Sequence, residues 1–124
     1  MNSGKNQSFL ARLRFALAGL LHAWRAERSL RVQAVALAFV LIAMGVLRPG
    51  PGWWALVALA SAGVVAAELL NTAVEALADH LHPDLHPRIR IVKDCAAAAV
   101  LVAALGAVGV GIALAVHTLA RLGH

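Results

Sequence analysis

Three carboxylates and one amide recur at helical spacing in the segment Glu68-Leu69-Leu70-Asn71-Thr72-Ala73-Val74-Glu75-Ala76-Leu77-Ala78-Asp79. At about 100° per residue, Glu68, Asn71, Glu75 and Asp79 fall within an arc of about 80°, one face of one helix. Carboxylates aligned in this way at a membrane repel one another unless something cationic meets them. A divalent metal is the simplest solution, because hard cations such as Mg²⁺ take carboxylate oxygen. Two other readings remain open, a helix end emerging into water and a proton relay in a transporter; simple solvation does not require the alignment with Asn71. Lys93-Asp94 follows across a loop made irregular by Pro83-Asp84-Leu85-His86-Pro87. Alone, that lysine is a snorkelling anchor at a membrane surface. Facing a carboxylate-bound metal, it completes a phosphate site. There it neutralises the transferring group while a carboxylate accepts the acceptor hydroxyl's proton. No P-loop, kinase Gly-rich loop or dinucleotide fingerprint is present. His80, His82 and His86 raise the question of zinc, but the spacing of the first pair splits them across a helix and prolines follow, so they read as interfacial loop residues.

The elements that must hold these residues belong to a membrane protein. Of 124 residues, 61% are hydrophobic and 14% charged, whereas soluble domains carry about 25% charged residues. The net charge of +5 fits basic flanks of membrane spans rather than a nucleic-acid surface, and no nucleic acid is expected as a partner. Cys95 is the only cysteine, so no disulfide can form within one chain. Five of the six acids lie within residues 68–94, which marks that region as a site.

Phe9, Leu10, Leu13, Leu17, Leu20, Leu21 and Trp24 recur every three or four residues with arginines between them, the pattern of an amphipathic helix lying on the membrane face. A cleavable signal peptide is not expected, because the first long apolar run starts only after residue 31. Three apolar stretches follow. Pro49-Gly50-Pro51-Gly52 reads as a tight turn between the first two, and Trp53 and Trp54 stand where an aromatic belt belongs. The expected fold is an all-α membrane protein in a single domain over 1–124, with a surface helix over 5–28 and membrane helices over 30–48, 53–79 and 94–120. Lys5, Arg12, Arg14, Arg25, Arg28 and Arg31 precede the first span, Arg48 follows it, and Arg88, Arg90 and Lys93 cluster in the next loop. By the positive-inside rule the N-terminus and the Ala78–Lys93 loop are cytoplasmic and the C-terminus lies outside. Small residues at close spacing on the third span suit helix packing. Self-association is the natural cover for a polar stripe on so short a chain.

The pattern Glu68-x-x-Asn71-Thr72-Ala73-x-Glu75-x-x-x-Asp79, then Lys93-Asp94 and an alanine-rich span, resembles the bacterial integral-membrane diacylglycerol kinase family, which includes undecaprenol kinases. Gly19-Leu20-x-x-Ala23-Trp24-x-x-Glu27-x-x-Leu30-Arg31 resembles the end of that family's surface helix, and the likeness covers nearly the whole chain. It implies a homotrimer with active sites at subunit interfaces near the cytoplasmic face of the bacterial inner membrane, using ATP with Mg²⁺. It further implies that Glu68 is the base for the lipid hydroxyl and that Glu27 and Glu75 hold the metal. Phe15, Glu27, Asn71, Glu75, Asp79, Asp84, Leu85, His86, Lys93 and Asp94 would border ATP. Ser29, Leu30, Arg31, Val32, Gln33, Glu68 and Ala97 would border the lipid. Three departures stand out: Gln33 replaces a glutamate usual among diacylglycerol kinases, Phe15 a tyrosine, and Ala97 a serine or glycine. The expected activity is phosphorylation of a membrane lipid alcohol, diacylglycerol first and undecaprenol second. The rival of another class is a non-enzymatic oligomeric transporter or pore. Val57–Ala67 has only Ser61 as a polar residue, which favours surface chemistry over conduction.

Overall fold

The computed structural model describes residues 7–124, and among them all regular structure is helical, in four helices. Helix α1, Phe9–Ala26, opens on Ser8, whose side chain accepts a hydrogen bond from the Ala11 amide at 3.3 Å. That cap satisfies one of the amides that a first turn leaves without a partner. Lys5 and Asn6, where the 5–28 helix was expected to begin, lie outside the described residues. At the other end Glu27 leaves the helix with an extended backbone (φ −107°, ψ 109°) and donates its amide to the Ala23 carbonyl at 2.8 Å. Helix α2, Arg28–Leu47, starts immediately afterwards, so the two helices meet in a one-residue elbow. The Arg31 guanidinium braces it, donating to the Trp24 carbonyl at 2.6 Å and the Arg25 carbonyl at 3.0 Å.

Helix α2 stops where Arg48 turns left-handed (φ 50°, ψ 61°), the one non-glycine residue with positive φ among those described. A left-handed residue just past the last turn is a common helix stop, and Pro49 prevents continuation. The turn expected over Pro49–Gly52 is shorter than that, because helix α3, Pro51–Leu81, already begins at Pro51. Proline suits a first helical position: its fixed φ is helical and its missing N–H would have had no partner there. The 31 residues of α3 extend about 46 Å at about 1.5 Å per residue.

The next correction is larger. The expected cytoplasmic loop of Ala78–Lys93 contracts to His82–His86, and helix α4 runs Pro87–Leu122 instead of 94–120. His82 donates its amide to the Ala78 carbonyl at 2.9 Å and Pro83 ends α3, while the His86 ring accepts the Arg88 amide at 3.1 Å ahead of Pro87. Arg88, Arg90 and Lys93 therefore stand on the first turns of a helix rather than in a loop.

The densest packing joins α3 and α4 into an antiparallel hairpin, against which α1 and α2 lean more loosely. The buried residues are Ala23, Leu30, Met44, Pro49, Val57, Val64 and Ala78, with Glu68 the one buried charged group among the described residues. Phe39, Ile42, Leu59, Leu105 and Ile112 are all exposed, an apolar surface that lipid accommodates and water does not. Helices α2, α3 and α4 are each long and apolar enough to cross a membrane.

Candidate active site

An unbroken α3 carries Glu68, Asn71, Glu75 and Asp79 on one face because nothing between Pro51 and Leu81 interrupts its register. Glu68 is only 4% exposed. Its Oε1 accepts a hydrogen bond from Gln33 Nε2 on α2 at 2.9 Å, across 35 residues of sequence. The Gln33 amide thus turns its NH₂ toward the carboxyl and its oxygen away. Gln33 Oε1 is left buried without a partner, as is Asn71 Oδ1. Each of these two acceptors favours an incoming donor, since burying a polar atom unpaired costs about 1–3 kcal/mol.

Glu27, half-buried in the elbow, lies with its Oε1 3.3 Å from the hydroxyl of Thr72 on α3, and that hydroxyl is also 2.9 Å from the Glu68 carbonyl. Thr72 stands in the pattern read from the sequence but carries no role there, although at four residues from Glu68 it lies on the same helical face. Lys93 reaches back from α4 to form an ion pair with Asp79. Thus Glu27, Gln33, Glu68 and Thr72 form one connected group, with Asp79 and Lys93 as a second pair further along α3. Among the described residues no three His, Cys, Asp or Glu side chains converge as a ready metal cage.

Other expected site residues stand apart from this group. Phe15 is exposed midway along α1 and Ala97 and Asp94 are exposed on α4. Asp84 and His86 lie in the short loop with Leu85, which is 99% exposed. In that loop the His82 and His86 rings meet edge to face at 5.3 Å, and His82 Nδ1 is 3.0 Å from the Asp84 carbonyl. At the start of α2, Ser29 and Val32 are exposed, Leu30 is buried, and Arg31 is engaged at the elbow.

Below Gln33 a cleft of about 760 Å³ separates α2 from α4 over the face of α3, with walls including Leu37, Val40, Val64, Val108 and Gly111. Gln33 and Ser61 are the polar side chains on its lining, and Ser61 turns its hydroxyl to the Val57 carbonyl at 2.7 Å. The tryptophan end of the bundle carries no acid among the described residues. There Trp53 and His117 stack at 5.2 Å, and Arg121 donates to the Arg48 carbonyl at 3.4 Å.

Three apolar spanning-length helices with a buried carboxylate–amide pair at one end, above an apolar cleft, define a small helical protein of the membrane-spanning kind. A family model described as prokaryotic diacylglycerol kinase matches residues 14–115, and the chain belongs to that family. A diacylglycerol kinase of Synechocystis sp. is 38% identical over 105 residues, which is 84% of this chain and 60% of that protein. An undecaprenol kinase of Bacillus subtilis is 34% identical over 87 residues, 70% of this chain and 71% of that one. The matched part of the chain thus spans about three fifths of the Synechocystis protein's length.

Proposed function

We propose that the protein transfers the γ-phosphoryl group of ATP to the hydroxyl of a membrane lipid alcohol, diacylglycerol first, at the cytoplasmic surface of the bacterial inner membrane. The observation that carries this reading is the buried Glu68, hydrogen-bonded by Gln33 at the head of an apolar cleft. A lipid chain lying along that cleft brings its alcohol to the level of Gln33. Glu68 accepts the hydroxyl proton as the alcohol oxygen attacks the γ-phosphorus, and ADP departs with the electron pair of the broken P–O bond. Gln33 holds the carboxylate in place for that transfer. Lys93, poised on α4, supplies positive charge toward the phosphates, with Asp94 beside it.

The donor set fits Mg²⁺, which takes one or two carboxylates and completes its shell with phosphate oxygens and water. Glu27 and Glu75 would hold it, because Glu27 reaches Thr72 and Glu75 lies one turn beyond Thr72 on the same face. When bound there, the ion neutralises charge on the phosphates. Asn71 and Asp79 complete the polar face, and Asp84, Leu85 and His86 border the nucleotide from the loop, with Phe15 approaching from α1. Ser29–Gln33 and Ala97 border the lipid. We further infer that α1 is the amphipathic surface helix and that the chain is one domain over 1–124 working as a homotrimer. No α4 side chain is buried within one copy, so neighbouring copies are the natural cover.

Undecaprenol is the second reading. The neutral Gln33 amide at the lipid end, and the relative from Bacillus subtilis that carries that name, both favour it. The deciding experiment is phosphate transfer from Mg-ATP in mixed micelles with the two lipids side by side. Labelled phosphatidic acid as the major product supports the first assignment, and labelled undecaprenyl phosphate replaces it with the second. Transfer to neither lipid overturns the kinase reading and leaves the transporter alternative.

A further inference from the structure

The Thr72 hydroxyl has one proton and two acceptors within reach, the Glu68 carbonyl of its own helix at 2.9 Å and Glu27 Oε1 at 3.3 Å. The first is the usual bond of a threonine inside a helix to the carbonyl four residues earlier. The second crosses from α3 to the elbow between α1 and α2, joining residues 45 apart in sequence. The carbonyl is the nearer acceptor, but a charged carboxylate is the stronger kind, so the one proton can turn to either. Hydroxyl donors usually sit about 2.7–2.8 Å from their acceptor, and bonds in unloaded catalytic sites are commonly longer and tighten on loading.

Glu27 needs such an anchor. It occupies a one-residue elbow where its backbone N–H bonds the Ala23 carbonyl, and α1 and α2 lean loosely on the α3–α4 hairpin. Thr72 is three residues before Glu75, so their side chains are neighbours on α3. We propose that Thr72 is a positioning residue that fixes the Glu27 carboxylate beside Glu75, so that the two present one surface to a divalent cation bound with nucleotide. This rests on the metal role given to Glu27 above, and it makes Thr72 the link between the elbow and the acidic face.

The test uses the full chain in detergent, with Mn²⁺ in place of Mg²⁺ and a non-hydrolysable ATP analogue. Free and bound Mn²⁺ are counted by paramagnetic resonance, so metal affinity is read without turnover. Thr72→Val removes the hydroxyl and keeps the branched shape. It is expected to weaken Mn²⁺ binding about tenfold, the scale of losing an outer-shell partner of a metal ligand. The Mg²⁺ concentration for half-maximal kinase activity should rise in parallel, with KM for lipid unchanged. Thr72→Ser keeps the hydroxyl and restores metal affinity. Should Thr72→Val fail to assemble, Thr72→Ala removes the same hydroxyl without added bulk and carries the same expectation. Wild-type Mn²⁺ affinity in the variants lacking the hydroxyl, or no recovery with serine, overturns the proposal. Glu27→Gln separates the two layers of inference. If it leaves Mn²⁺ binding intact, the metal role of Glu27 falls and the proposal with it. If it weakens binding while Thr72→Val does not, only the positioning role falls.

Discussion

Glu68 and Glu75 lie two helical turns apart on α3, and their surroundings differ in keeping with the different roles proposed for them. Glu68 is buried, held by Gln33, and adjacent to the apolar cleft. Glu75 is more open and lies one turn from the Glu27–Thr72 contact. Glu68→Gln should lower kcat by about 10²-fold or more, the scale of losing a general base, with Mg-nucleotide affinity retained. Collapse of nucleotide affinity with a high residual rate would contradict the assignment of the base. Glu75→Gln should instead abolish turnover through loss of Mg-nucleotide binding, with helical content and oligomer size unchanged. Normal Mg²⁺ dependence of a fully active variant would remove it from the metal site. Gln33→Glu replaces the amide donor to Glu68 by a second carboxyl; sharing one proton, the pair stays joined and offers a glycerol hydroxyl a charged acceptor, which makes the stronger bond. Improved kcat/KM for diacylglycerol alone is the expected result when both lipids are assayed. An equal change for both takes Gln33 out of lipid selection.

Elements matter here mainly at their ends. The α1–α2 elbow sets where Glu27 stands, and it is braced by the two Arg31 hydrogen bonds to the carbonyls of Trp24 and Arg25. Arg31→Met keeps much of the side-chain length and removes those bonds, which are worth about 1 kcal/mol together if each is modest. Amide hydrogen exchange across Ala23–Glu27 should accelerate by about fivefold, the population change that such a loss produces. Unchanged exchange there would show that packing alone holds the elbow. The helix ends also mark the limit of what could be read from residues alone. The apolar runs and the shared acidic face were legible because both follow the helical period. The extensions to Pro51 and Pro87 were not, because a proline ends one helix and opens another with the same chemistry, and only the cap ahead of it decides. The pairings Gln33–Glu68, Glu27–Thr72 and Lys93–Asp79 were equally hidden, since each joins different elements through the way those elements meet.

Across the whole molecule the charges separate along the bundle, acids at the His82–His86 end and Arg48 with Arg121 at the other. By the positive-inside rule, the basic residues before α2 and at the start of α4 lead us to propose that the acidic end is cytoplasmic. With the exposed native thiol removed as Cys95→Ala, His82→Cys should react with impermeant reagents only from the cytoplasmic side. Labelling from outside intact cells would reverse the orientation and put the site out of reach of cytoplasmic ATP.

The cleft between α2 and α4, walled also by Leu20, Leu21 and Trp24 of α1, runs along the helices, so in the proposed membrane setting its length would lie at bilayer depth rather than in the water above it. A molecule entering that way arrives by diffusion in two dimensions, and its effective concentration is its mole fraction in the surface. On the activity proposed above, the rate would answer to two separate scales, amount per area for the alcohol and amount per volume for the nucleotide. Adding inert detergent at constant bulk lipid should lower it, and adding buffer at constant lipid-to-detergent ratio should do so only by thinning the ATP.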